Sequence, residues 1–277
     1  MLVAAFRGWN DGAQGASLAA GFLAQSWSAR RFADVDPEEF YDFQAVRPHV
    51  RLEEGLTRKI DWPENVFYHA GIPGTERDAV LLLGVEPNTR WRTFCAEIIE
   101  LAADLGVERV VTLGALLADV PHTRPAPVTG SASDPKLIEE LGLGASRYEG
   151  PTGIVGVFHD ACRQAELPSA SLWAAVPHYV SLAASPKAAL ALCRRLGALL
   201  GASLELGDLE RASEAYELQV SAAVAQDDET EAYVRELETQ RDALGEELDL
   251  PSGDTLAAEL TRFLREHEER SRPEEES

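Results

Sequence analysis

The sequence is poor in cysteine, in lysine and in long apolar runs, and each shortage argues against a class of protein. Its three cysteines, Cys95, Cys162 and Cys193, are far apart, odd in number and without a C-x-x-C pair. Neither a disulfide framework nor a cysteine-based zinc site is indicated, and each thiol falls on an apolar helical stripe, where a small buried hydrophobe is expected. No apolar run approaches the roughly 20 residues that cross a bilayer. The opening Met1-Leu2-Val3-Ala4-Ala5-Phe6-Arg7 is too short for the apolar part of a signal peptide. The expected location is the cytoplasm, with no membrane partner.

Catalytic signatures are missing too. No G-x-S-x-G nucleophile elbow occurs, and Gly130-Ser131-Ala132-Ser133 lacks its second glycine. There is no H-E-x-x-H, and the six histidines are scattered. Gly8, Gly12 and Gly15 stand between an apolar run and a helical pattern, but G-x3-G-x2-G is neither the dinucleotide fingerprint nor a P-loop, and no P-loop lysine follows. His159-Asp160 falls inside a helical pattern and reads as surface or capping. No catalytic residue, metal ion or cofactor is assigned.

What the chain has in excess is acid. The 277 residues carry a net charge of −22, which opposes nucleic-acid binding because phosphate neutralisation needs Lys/Arg patches. From Glu205 to Ser277 there are 7 basic and 23 acidic residues, a net of −16, against −6 for residues 1 to 204. The expected organisation is a domain over 1–204, an acidic helical extension over 205–270 and a disordered tail over 271–277. With 45% hydrophobic residues the chain has ample material for a core.

Within the first part, short apolar runs alternate with helical stripes, the pattern of strands joined by crossover helices in an α/β fold. Val80 to Val85 predicts a strand, Trp91 to Leu105 a helix and Arg109 to Leu113 a second strand parallel to the first. Leu2 to Phe6 predicts a strand leading into a helix over about 12–27 with Asp11 as N-cap. Ile154 to Ala165 and Ala189 to Leu200 predict helices around a strand at Ala170 to Val176. The Pro-, Gly- and aromatic-rich stretch from Val35 to Ala79 predicts inserted hairpins, with strand candidates at Phe40 to Phe43, Arg58 to Ile60 and Val66 to His69. After Gly207 the pattern is helical, with Tyr233, Leu237, Leu244 and Leu248 on one face and a last stripe from Leu256 to His267.

In a parallel sheet, ligands collect where the chain leaves the carboxyl ends of the strands. The loops at those ends carry Trp9, Asn10 and Asp11; Glu86 and Pro87; His122, Thr123 and Arg124; and Pro177, His178 and Tyr179. Asp11, Glu86, His122, Arg124 and His178 are expected to share one rim. Arg124 is expected either to pair with Glu86 or Asp119 or to hold an anionic ligand. Thr152 and Gly153 precede a helix, with Thr152 as the natural N-cap.

Several of these stretches together resemble a known family. They are Phe6-Arg7-Gly8-Trp9-Asn10-Asp11, Leu83-Gly84-Val85-Glu86-Pro87, Ala118-Asp119-Val120-Pro121-His122-Thr123-Arg124-Pro125, Tyr148-Glu149-Gly150-Pro151-Thr152-Gly153-Ile154 and Val176-Pro177-His178-Tyr179. Over about residues 1 to 200 the chain resembles the bacterial branch of the proteasome assembly chaperones, the type named after the second chaperone subunit. The helical end is similar to that of actinobacterial members, and the preference for Arg over Lys, found only at 59, 136 and 187, is a bias that GC-rich codons, as in an actinobacterial type of genome, would produce.

The resemblance implies a three-layer sandwich around a mostly parallel sheet, like the nucleoside phosphorylases and peptidyl hydrolases. It also implies self-association as a trimer and binding to proteasome subunits or another protein complex. Archaeal relatives dock through a hydrophobic-Tyr-any tail, and Pro273 to Ser277 does not match it, so another surface is expected to serve. Two functions follow: a non-enzymatic oligomeric binding protein, or a hydrolase/phosphorylase-like enzyme or small-molecule sensor using the rim.

Overall fold

The computed structural model describes residues 1–132, 134–144, 148–180 and 184–243. Its centre is a run of four parallel strands, β6 (Asp78–Val85), β1 (Leu2–Arg7), β7 (Val110–Ala118) and β9 (Ser169–Pro177), in that order. The side chains of Leu2 to Phe6 are buried on both faces of β1, which is why this segment reads as a continuous apolar run and not as an alternation. The predicted strand-helix-strand unit is present, but its strands do not touch. α2 (Trp91–Asp104) carries the chain from β6 over β1 to β7, and both strands pair with β1 in parallel.

Antiparallel strands complete the seven-stranded sheet. β5 (Asn65–Gly71) pairs with β6 and β2 (Arg30–Val35) with β5, while β8 (Val128–Ala132) closes the other side against β9. β3 (His49–Glu53) and β4 (Thr57–Asp61) form a separate two-stranded hairpin, one of those expected in this stretch. Phe40 to Phe43 is not a strand. Asp36 caps a single 3-10 turn there, and Phe40 and Tyr41 turn inward as core side chains.

Helices cover both faces, giving the three layers. α1 (Gly15–Ser26) and α5 (Pro186–Leu200) lie on one face through Ala16, Ala19, Ala20 and Leu23 against Ala188, Ala189, Leu192 and Leu196. α2 and α4 (Ile154–Gln164) cover the other through Phe94, Ile98, Ile154 and Phe158. The three thiols are buried in these layers, and desolvation pushes each up to about 12. α3 (Pro135–Leu141) packs beside β8.

The acidic end forms two helices, α6 (Gly207–Val224) and α7 (Asp228–Ala243). Tyr216, Val220, Val224 and Val234 are buried with Tyr179 and Val180 of the loop after β9, and burial of such side chains contributes about 1.5–3 kcal/mol each. The last predicted helix and residues 271–277 lie outside the described residues, as do Leu244 and Leu248. No helix among the described residues is long and apolar enough to cross a membrane.

Candidate functional site

Because β6, β1, β7 and β9 run in parallel, the loops after them leave from one edge of the sheet, where the sequence-predicted residues collect. They do so as two clusters. The first sits over β6 and β1, where α1 departs to one face of the sheet and α2 to the other. This is the crevice in which open α/β sheets bind ligands.

Glu86 fills it. One carboxylate oxygen accepts from the Asn10 side-chain amide at 3.2 Å and from the Ile154 backbone N–H at 2.7 Å; the other accepts from Trp9 N–H at 3.2 Å. The Ile154 N–H is the first of α4, so a carboxylate from a distant loop satisfies a free donor and meets the positive end of that helix. The expected cap is therefore corrected. Gly153, not Thr152, is the N-cap, with no side-chain cap bond of its own, because Glu86 does that work.

Two glycines make the approach possible. A Cβ at Gly153 would lie 2.4 Å from Asn10 Nδ2 and 2.7 Å from Glu86 Oε1, and Gly8 has φ +130° with Glu86 Cβ 3.0 Å from where its own Cβ would stand. Asp11 serves the same end differently. α1 starts only at Gly15, after a short 3-10 turn whose Ala13 and Gln14 take positive φ. Asp11 is thus not at the N-cap position, yet its Oδ1 accepts from Ala16 N–H and Ser17 N–H at 2.8 and 3.2 Å. Its burial pushes the carboxyl above its ordinary value.

The second cluster lies over β7 and β9, and the helical extension closes it. His122 is buried at 2% exposure. Its backbone N–H donates to Tyr179 Oη at 2.8 Å, and its ring is held between two hydroxyls, Nδ1 at 2.9 Å from Tyr179 Oη and Nε2 at 2.9 Å from Ser221 Oγ of α6. Desolvation, with Lys187 nearby, lowers its pKa. Burial likewise pushes Tyr179 up to about 12. Lys187 is tied to the His122 carbonyl and to Glu217.

Thr123 donates to Glu238, and Arg124 grips Asp242 of α7 with two 2.8 Å bonds, Nε to Oδ1 and Nη2 to Oδ2. The expected partners of Arg124 are corrected: they are Glu238 and Asp242, not Glu86 or Asp119. Asp119 instead pairs with His178 at 3.0 Å and accepts from Tyr233 at 2.9 Å. Pro177 ends β9 and, with His122, Arg124, Ser185, Lys187 and Tyr216, lines a cavity of about 10 Å³, enough for a single water. Pro87 accepts from Trp91 Nε1 at 2.6 Å and so helps begin α2.

His159 is no surface or capping residue. Its nitrogens bond Thr112 and Ser169, each at 2.8 Å, and burial pushes its pKa down to about 4.

Fold and site together define an open, doubly wound α/β protein whose ligand crevice is occupied by its own groups, one half by Glu86 and the other by a helical strap. Similarity narrows the class. Residues 5–224 match the PAC2 family. A PAC2 family protein from Streptomyces avermitilis is 48% identical, with TM-score 0.78 over 84% of this chain and 98% of that one. A proteasome-assembly chaperone homologue from Mycobacterium tuberculosis is also 48% identical, with TM-score 0.77 over 84% and 99%. An archaeal homologue of proteasome-assembly chaperone from Pyrococcus furiosus, 20% identical with TM-score 0.59 over 87% and 94%, shares the fold. No curated protein matches. The chain belongs to the PAC2 family.

Proposed function

We propose that this chain is a non-enzymatic, cytoplasmic binding protein that self-associates, as a trimer, and assists the assembly of a protein complex of the proteasome kind. The observation that carries this reading is the occupied crevice. The donors a ligand would use, Trp9 N–H, the Asn10 amide and Ile154 N–H, are spent on Glu86, and the Arg124 fork that would clamp an anion is spent on Asp242. An enzyme of this architecture keeps such groups for substrate. The relatives described as proteasome-assembly chaperone homologues supply the kind of partner.

The test is affinity capture with the full tagged chain from native lysate of its source, read by mass spectrometry. Enrichment of proteasome subunits supports the proposal; a stable catch without them removes the proteasome from it. The enzyme or sensor reading is checked by thermal shift with nucleosides, phosphate esters and acyl-amino acids. A stabilisation lost in both Arg124→Ala and Glu86→Ala would revive it.

A further inference from the structure

The β3–β4 hairpin is an exposed arm. All ten residues of its two strands are exposed, and a two-stranded hairpin alone is marginal in water. Its register sorts the side chains into two faces. Val50 stands opposite Ile60 and Leu52 opposite Arg58, while His49, Arg51, Lys59 and Asp61 take the other face. Val50, Leu52 and Ile60 are 60%, 63% and 48% exposed, and Leu56 at the turn is 90% exposed. At its base Phe43 packs against Trp62, with ring centroids 4.8 Å apart.

A second orphan surface lies on the outer side of α6. The buried side of this helix is Leu209, Ser213, Tyr216, Val220 and Val224. Opposite it stand Ala215, Leu218 and Ala222 at spacings of three and four, all exposed, with Leu218 at 74%. Small residues around one leucine form a shallow surface that a hairpin face can approach closely. Each surface also carries a charge without a partner: Arg58 on the arm and Glu214 on α6 make no ion pair among the described residues. The arm's surroundings are of the sign α6 lacks. Residues 47–61 sum to +1, whereas residues 207–243 sum to −8.

We infer that the apolar face of the β3–β4 arm docks on the outer face of α6 of a second copy of this chain, with Arg58 of one copy against Glu214 of the next. Two different surfaces meet, so the contact is head-to-tail, the kind that forms a ring, such as the trimer of the proposed function, when the rotation between copies closes. The inference rests on the self-association in the proposed function and gives it an address.

Sedimentation velocity of the full chain over a range of concentrations tests it. Leu52→Asp and Leu218→Asp each shift the mass toward the monomer, and both sites are exposed, so circular dichroism stays that of the parent. Arg58→Glu weakens association by about tenfold or more, and adding Glu214→Lys to it restores most of that loss. A parent that associates with unchanged mass in Leu52→Asp and Leu218→Asp overturns the arm contact and leaves self-association standing. A parent that is monomeric throughout overturns both, while the capture experiment still judges the proteasome reading on its own.

Discussion

At the residue scale, the side chain with most consequence is Glu86. Its two oxygens accept three N–H groups from two separate segments, the loop after β1 and the start of α4, so its replacement strands donors that lie in a half-buried crevice. Glu86→Gln turns one acceptor into an NH₂ that must face an N–H. The expected loss is about 1–3 kcal/mol, measurable by chemical denaturation with the parent slope retained. Gly153→Ala pushes a methyl into the same contact and should cost a similar amount. A neutral result for both would mean that Glu86 does not hold these loops together.

His159 gives a pH dependence of known sign. Its pKa is about 4 in the folded chain against 6.5 ordinarily, so between those values the unfolded chain binds the extra proton. Stability from this group is therefore complete above pH 6.5, falls as the pH drops toward 4 and then levels off, a total of up to about 3 kcal/mol. His159→Gln should flatten the dependence between pH 6.5 and 4, at a cost of about 1 kcal/mol at neutral pH. None of this was readable from the sequence. His159 looked like surface because its partners, Thr112 and Ser169, are distant in the chain or hidden beyond a turn.

At the scale of elements, the parallel strands and their helices were readable because both faces of the sheet are covered. Burial on both faces leaves continuous apolar runs in β1, β6, β7 and β9. β2 and β8 were not, since they are edge strands: β2 reads Arg30-Arg31-Phe32-Ala33-Asp34-Val35 and has only Val35 buried. Phe40 to Phe43 misled for the converse reason, being aromatic core filling on irregular backbone. The loops that carry the rim residues leave from one sheet edge, but the contacts of His122, Thr123 and Arg124 with α6 and α7 were not readable, because Ser221, Glu238 and Asp242 stand 99, 115 and 118 residues away in sequence.

The strap is held by two different forces, and they can be separated. α6 is anchored by buried Leu209, Tyr216 and Val220, whereas α7 relies on Val234 and Leu237 plus the ionic grip of Arg124. Arg124→Ala should speed hydrogen exchange in α7 by up to about fivefold, the scale of a partly exposed pair, and leave α6 unchanged. Equal acceleration in both helices would show that they open as one unit and that Arg124 does not secure α7 separately.

At the scale of the whole molecule, the opposing terms are self-repulsion and ion pairing. A net charge of −22 on 277 residues destabilises the compact state by repulsion, while most of the ion pairs here join exposed side chains and are worth only about 0–1 kcal/mol each. Salt screens both, with a Debye length of about 30 Å at 0.01 M and about 8 Å at 0.15 M. Long-range repulsion acts over the greater distances and is removed first. The melting temperature should therefore rise between 0.01 and 0.15 M NaCl, even as α7, whose docking depends on Arg124 with Glu238 and Asp242, exchanges its amides faster. A melting temperature that falls with salt would mean that ion pairs outweigh repulsion in this fold. An α7 whose exchange slows with salt would mean that repulsion, not the Arg124 grip, governs the strap.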